Sequence, residues 1–243
     1  MAAQRKAKTS KPAKAKRATT QKATAGRAGV DEAIVAAALA LAAGGDWNDV
    51  TLKAVAKKAK ISLTDLLERF ADKNAIVAAY MRQVDRAVLD RLDADIENEV
   101  TRDRLLDIFI SRLEVLGENK AGVQSIWKAL SRDPQAMVTL APNVLRSQKI
   151  MMAAADIDAS GIGGALQAQG LALIFARGLR TFLHDDDPGM ARAMAKLDRG
   201  LRDGETMLSR LSRLDDLGKV ATAFVSAVMK RRAEKRAEKG EGA

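Results

Sequence analysis

From Val30 onward, apolar residues recur at intervals of three and four, the spacing that lines one face of a helix. The run "DEAIVAAALALAA" puts Ile34, Ala37, Ala38 and Leu41 on one face and stops at Gly44-Gly45. "DWNDV" reads as a turn. Thr51 then caps "LKAVAKKAK", whose Leu52, Val55, Ala56 and Ala59 point inward. Ser62 caps a short third helix, "LTDLLERF", with Leu66, Leu67 and Phe70 as its apolar stripe. Asp72 caps a long fourth helix running from Lys73 to about Glu97, with Ile76, Val77, Tyr80, Val84, Val88 and Leu92 spaced for burial.

The same period continues. Residues 102–116 carry Leu105, Leu106, Ile108, Phe109, Leu113 and Leu116, and residues 120–132 carry Val123, Ile126, Trp127 and Leu130. A helix over 135–155 meets Pro142, which is expected to kink or break it. "DIDASGIGG" reads as a loop, followed by a strongly apolar helix over 164–184. Asp187, with Pro188 at the first helical position, predicts another helix to about Leu211, and a charged helix follows from about Asp215 to Glu238.

Composition narrows the class. Of 243 residues, 47% are hydrophobic but only 3% aromatic, and β-branched runs are scarce, so an all-α chain is expected. The absence of Cys excludes disulfides, thiolate metal sites and a Cys nucleophile, and suits a reducing cytoplasm. No apolar run approaches the roughly 20 residues of a membrane span.

Charge is unevenly placed. Of the net +10, residues 1–30 hold nine units with no acid and residues 230–243 hold three, which leaves −2 for the body between them. The segment 1–28 has no Leu, Ile, Phe, Trp or Tyr, a composition that predicts a disordered tail, either drawn to polyanions such as nucleic acid or a solubilising extension with no specific partner. The expected organisation is a basic tail over 1–28, a three-helix module over 29–80, a helical domain over 81–212 and a charged terminus over 213–243.

The stretch from Ile34 to about Tyr80 resembles the Tet repressor (TetR) family of bacterial transcription regulators. The likeness rests on "IVAAALALAAGGDWNDVTLKAVAKKAKIS", the Leu and Phe of the third helix, and the "DK" that opens the fourth. It implies a helix-turn-helix that binds double-stranded DNA, on an all-α domain for dimerisation and a small apolar effector, in a ligand-responsive repressor. The resemblance makes Thr51, Lys53, Ser62, Leu63, Thr64, Asp65, Arg69 and Lys73 the DNA-facing candidates, with Thr51 and Lys73 at phosphates. Lys60 stands where the family has its turn Gly, and Leu67 where it has Tyr or Phe. Asp65 and Glu68 add acid to the reading helix; a carboxylate can accept from a cytosine amino group in the major groove, so Asp65 is the residue expected to specify a base. The later helices are also somewhat similar to lipid-binding proteins of ubiquinone biosynthesis that share the fold without its DNA-reading residues, an isoprenoid-carrier alternative.

Other strings carry less. "HDDDPG" at 184–189 sets the only His beside three carboxylates, but adjacent residues on a turn rarely converge on one ion, and capping accounts for the string. "GIGG" at 161–164 follows no strand and lacks the dinucleotide fingerprint. Trp127, Met137, Met151, Met152, Phe175 and Phe182 are each readable as ordinary core, and as a set they form a candidate apolar pocket. With a lone His, no Cys and no metal spacing, no base or nucleophile can be assigned; neither enzyme nor cofactor is expected.

Overall fold

The computed structural model describes residues 29–92 and 100–207, and these form helices, turns and short connections with no strand among them. In order they are α1 (29–43), a 3-10 turn (Trp47–Asp49), α2 (Leu52–Ala59), α3 (Leu63–Leu67), α4 (Lys73–Arg91), α5 (Thr101–Gly117), α6 (Lys120–Leu130), α7 (Pro134–Ala154), α8 (Gly161–Leu183) and α9 (191–207). The basic segment 1–28 and the charged helix expected from Asp215 lie outside the described residues.

Two apolar clusters organise the chain. The first joins Ile34, Val35, Ala38, Trp47, Val55, Leu66, Phe70, Ile76 and Val77 from α1 to α4, and it also takes Ile126 and Ala129 from α6 and Leu140 from α7. The second gathers Val84, Val88, Ile108, Phe109, Leu113, Met151, Met152, Phe175, Phe182 and Leu197 from α4 to α9. Burying each such large side chain stabilises the fold by about 1.5–3 kcal/mol, before the entropy of ordering is set against it. α4 passes through both clusters, and Tyr80 packs against each. The three-helix module is therefore not a separate bead. At its seam Gly122 of α6 lies so close to α1 that a Cβ there would stand 2.7 Å from the Leu39 carbonyl oxygen. Ser125 of α6 donates to the Gly45 carbonyl at 2.8 Å and accepts from the Trp47 N–H at 2.9 Å.

Four sequence expectations are corrected. α4 ends at Arg91, with Leu92 extended, rather than near Glu97. The acids that follow disfavour the negative end of a helix dipole. α7 runs without interruption through Pro142. The hydrogen bond that Pro142 cannot make would go to Val138, which is exposed, so water can serve that turn. α8 begins at Gly161, not 164, so "GIGG" is its first turn. Gly164 is needed there because a Cβ would come within 2.2 Å of the Ala159 backbone. Finally, Pro188 is not the first residue of α9. Pro188-Gly189 makes a turn, Met190 takes a left-handed φ of 51°, and the helix starts at 191. Asp187 still serves it: its carboxylate accepts from Gly189 N–H at 3.0 Å and Ala191 N–H at 3.3 Å.

Candidate nucleic-acid interface

The α2–turn–α3 corner is set by backbone chemistry. Thr51 accepts from the Ala54 N–H at 3.2 Å, so the first turn of α2 is capped by the predicted hydroxyl. α2 ends at Lys60, whose φ of 59° and ψ of 39° place it in the left-handed region. Its N–H reaches the carbonyls of Ala56 and Lys57, while Ile61 N–H donates to Ala56 at 3.1 Å. Lys60 thus holds a conformation that Gly adopts without strain. Ser62 then caps α3.

That cap changes the reading of Asp65. Ser62 Oγ accepts from the Asp65 N–H at 3.0 Å and donates to the Asp65 carboxylate at 2.6 Å. This is a serine N-cap whose hydroxyl also donates to the carboxylate at N3. The carboxylate at the start of α3 also suits the positive end of the helix. Acid on this helix therefore has a local structural cause.

Of the other DNA-facing candidates, Lys53, Leu63 and Thr64 are exposed, alongside Lys57, Lys58 and Lys60. Arg69 donates to Asp31 of α1 at 2.7 Å and is held against the module. Lys73 folds back across the corner: its ammonium donates to the carbonyls of Trp47 at 2.8 Å and Asn48 at 3.3 Å, and lies 5.2 Å from the Trp47 ring centre. Burial pulls the Lys73 ammonium down from its ordinary pKa, opposed by Asp49 and Asp46. Lys73 ties the start of α4 to the 3-10 turn, and Asp72 caps α4 by accepting from Ala75 N–H at 2.7 Å.

The helical body contains a buried charge pair that the sequence reading missed. Arg112 of α5 meets Asp85 of α4 at 3.2 Å, Ser147 of α7 donates to the same Asp85 oxygen at 2.5 Å, and the guanidinium stacks 4.8 Å from the Phe175 ring of α8. Burial lowers the Arg112 pKa, and the Asp85 charge partly restores it. A signal was available: Arg112 falls at the helical spacing of Phe109, Leu113 and Leu116, and Asp85 sits beside Val84 and Val88, so both lie on faces that are otherwise apolar.

Five of the six pocket candidates come together, and the sixth does not. Met151, Met152, Phe175 and Phe182 fill the second cluster and Trp127 packs at its edge, whereas Met137 is exposed. A groove of about 450 Å3 lies instead between α7 and α8, lined by Pro142, Leu145, Arg146, Lys149, Ile150 and Ala153 with Ala165 and Ala168. Asp185 and Asp187 serve turns, and no cluster of three or more metal-ligating side chains occurs among the described residues. Nor is any helix among them long and apolar enough to cross a membrane.

Compared by sequence, the chain matches no family model and no curated protein. Solved structures do resemble it. A TetR transcriptional regulator from Nitrosomonas europaea superposes with a TM-score of 0.57 at 22% identity, over 71% of this chain and 95% of that one. A TetR transcriptional regulator from Rhodococcus sp. RHA1 gives a TM-score of 0.58 at 20% identity, over 72% and 95%. At such identities the likeness is one of fold: the chain has the all-α TetR-regulator fold, a helix-turn-helix module on a larger helical domain.

Proposed function

We propose that the protein binds double-stranded DNA through α2 and α3 as a dimeric, ligand-responsive regulator of transcription. The observation that carries this reading is the corner itself. Caps at Thr51 and Ser62 and the left-handed Lys60 set α3 on the surface, with the exposed lysines of α2 beside it. A protruding second helix with flanking cations is what a helix-turn-helix presents to a major groove and its phosphates. Thr51 and Lys53 supply phosphate donors at the start of α2, and the nine cations of residues 1–30 add sequence-independent attraction. α8 carries the surface for a second copy: Ile162 is 91% exposed, and Leu166 and Leu173 are exposed along the same stripe.

Selection from random duplex DNA tests the reading, and a recovered palindrome supports it. An absent motif, together with an isoprenoid or acyl lipid found on the purified protein by native mass spectrometry, decides for a carrier that no longer reads DNA.

A further inference from the structure

The outward face of α3 has an unusual chemistry for reading bases. Leu63 is 40% exposed and Leu67, one turn on, is 48% exposed; Thr64 and Glu68 lie beside them, also exposed. Leu66 and Phe70 bury the opposite side, so Leu67, which the apolar spacing grouped with them, faces outward instead. That outward face carries no guanidinium, ammonium or amide. Arg69 is drawn to Asp31 on α1, and Asp65 is engaged with Ser62. Guanine is read by donors to its N7 and O6, and adenine by an amide that both donates and accepts. Apart from the Thr64 hydroxyl, this surface can offer neither. What it offers is apolar area and a carboxylate, which match the thymine methyl and the cytosine amino group.

We infer that α3 recognises thymine through the C5 methyl, seated on Leu63 and Leu67, with Glu68 accepting from the amino group of a cytosine. The inference rests on the DNA-binding reading above. Charge complementarity favours a groove as the occupant of this face. The exposed lysines Lys53, Lys57, Lys58 and Lys60 come from the preceding helix and turn, and so meet phosphates while the apolar face meets the groove floor.

The test uses the full-length protein and the duplex that selection recovers. Each thymine is replaced singly by deoxyuridine, which removes only the methyl. At one or two thymines per half-site the affinity should fall about fourfold, the value of one methyl's burial. In Leu67→Ala, or in Leu63→Ala, the same replacement should have little further effect, because the partner of the methyl is gone. Both leucines are exposed, and circular dichroism of the variants checks that folding is intact. A motif whose affinity is indifferent to every deoxyuridine overturns the methyl reading while leaving DNA binding in place. Duplex affinity unchanged in both leucine variants also overturns it, and points to a protein as the occupant of this face. Failure to bind any duplex removes the DNA-binding reading itself.

Discussion

Lys60 ends α2 in a left-handed conformation that costs a non-glycine residue about 1 kcal/mol. Lys60→Gly should therefore raise unfolding stability by up to about 1 kcal/mol in urea melts, less the extra freedom that Gly gains in the unfolded chain. A clear loss would show that the Lys60 side chain makes a stabilising contact. Tyr80, the only tyrosine, gives a second readout. Burial pushes its phenol up to about 12, with Asn119 opposing and the Glu118 charge adding to the rise. A raised folded-state pKa means the native protein holds this proton more tightly than the unfolded chain. The resulting stability is intact below pH 10 and is lost as pH climbs from about 10 to about 12, by roughly 2 kcal/mol. Absorbance at phenolate wavelengths should show no titration near pH 10 in the native protein and a normal one in denaturant; a native midpoint near 10 would contradict the burial.

α4 is the element on which the two halves depend. It is capped by Asp72, tied to the 3-10 turn by Lys73, and held in the body by Asp85. Removing one partner of a buried pair leaves an uncompensated charge, so Asp85→Ala should destabilise by about 3–5 kcal/mol, whereas Asp85→Leu combined with Arg112→Met should recover most of that. Equal losses in the single and double variants would show that packing, not charge, governs the site. The elements divide in how legible they are in the sequence. Thr51, Ser62 and Asp72 announce their helices because capping is local chemistry, readable from a hydroxyl or carboxylate ahead of an apolar stripe. Pro142 and Pro188 mislead because their effect is decided beyond the local sequence: by the exposed turn around Val138, and by the Pro188-Gly189 turn that delays α9. Asp65 has a second role that its place on the reading helix does not disclose, since its carboxylate joins the Ser62 cap. Five of the six pocket candidates come together as packed core rather than as the lining of a cavity, because large apolar side chains at helical spacing are core before they are lining, as Met151 and Met152 show.

At the scale of the molecule, the exposed stripe Ile162, Leu166 and Leu173 on α8 is the surface that the proposed dimer would bury. Sedimentation at micromolar concentration should show a dimer, and Leu166→Glu with Leu173→Glu should give monomers; a wild-type monomer would leave the stripe without that role. Charge is distributed at the same scale: the body between the termini carries −2, so affinity for a polyanion has to come from local patches and from the basic ends, residues 1–30 and 230–243. The most direct test of DNA binding is a fluorescence-anisotropy titration of a labelled duplex across a range of salt concentrations. It should be made with the intact chain, with Lys53→Ala and Lys57→Ala, and with a chain lacking residues 1–28. The intact protein should bind saturably at low salt. Its log affinity should fall linearly with log salt, and the slope should shrink by about 0.9 for each phosphate contact removed. No saturable binding at the lowest salt, or one slope shared by all of these proteins, would contradict DNA recognition by this corner of the fold.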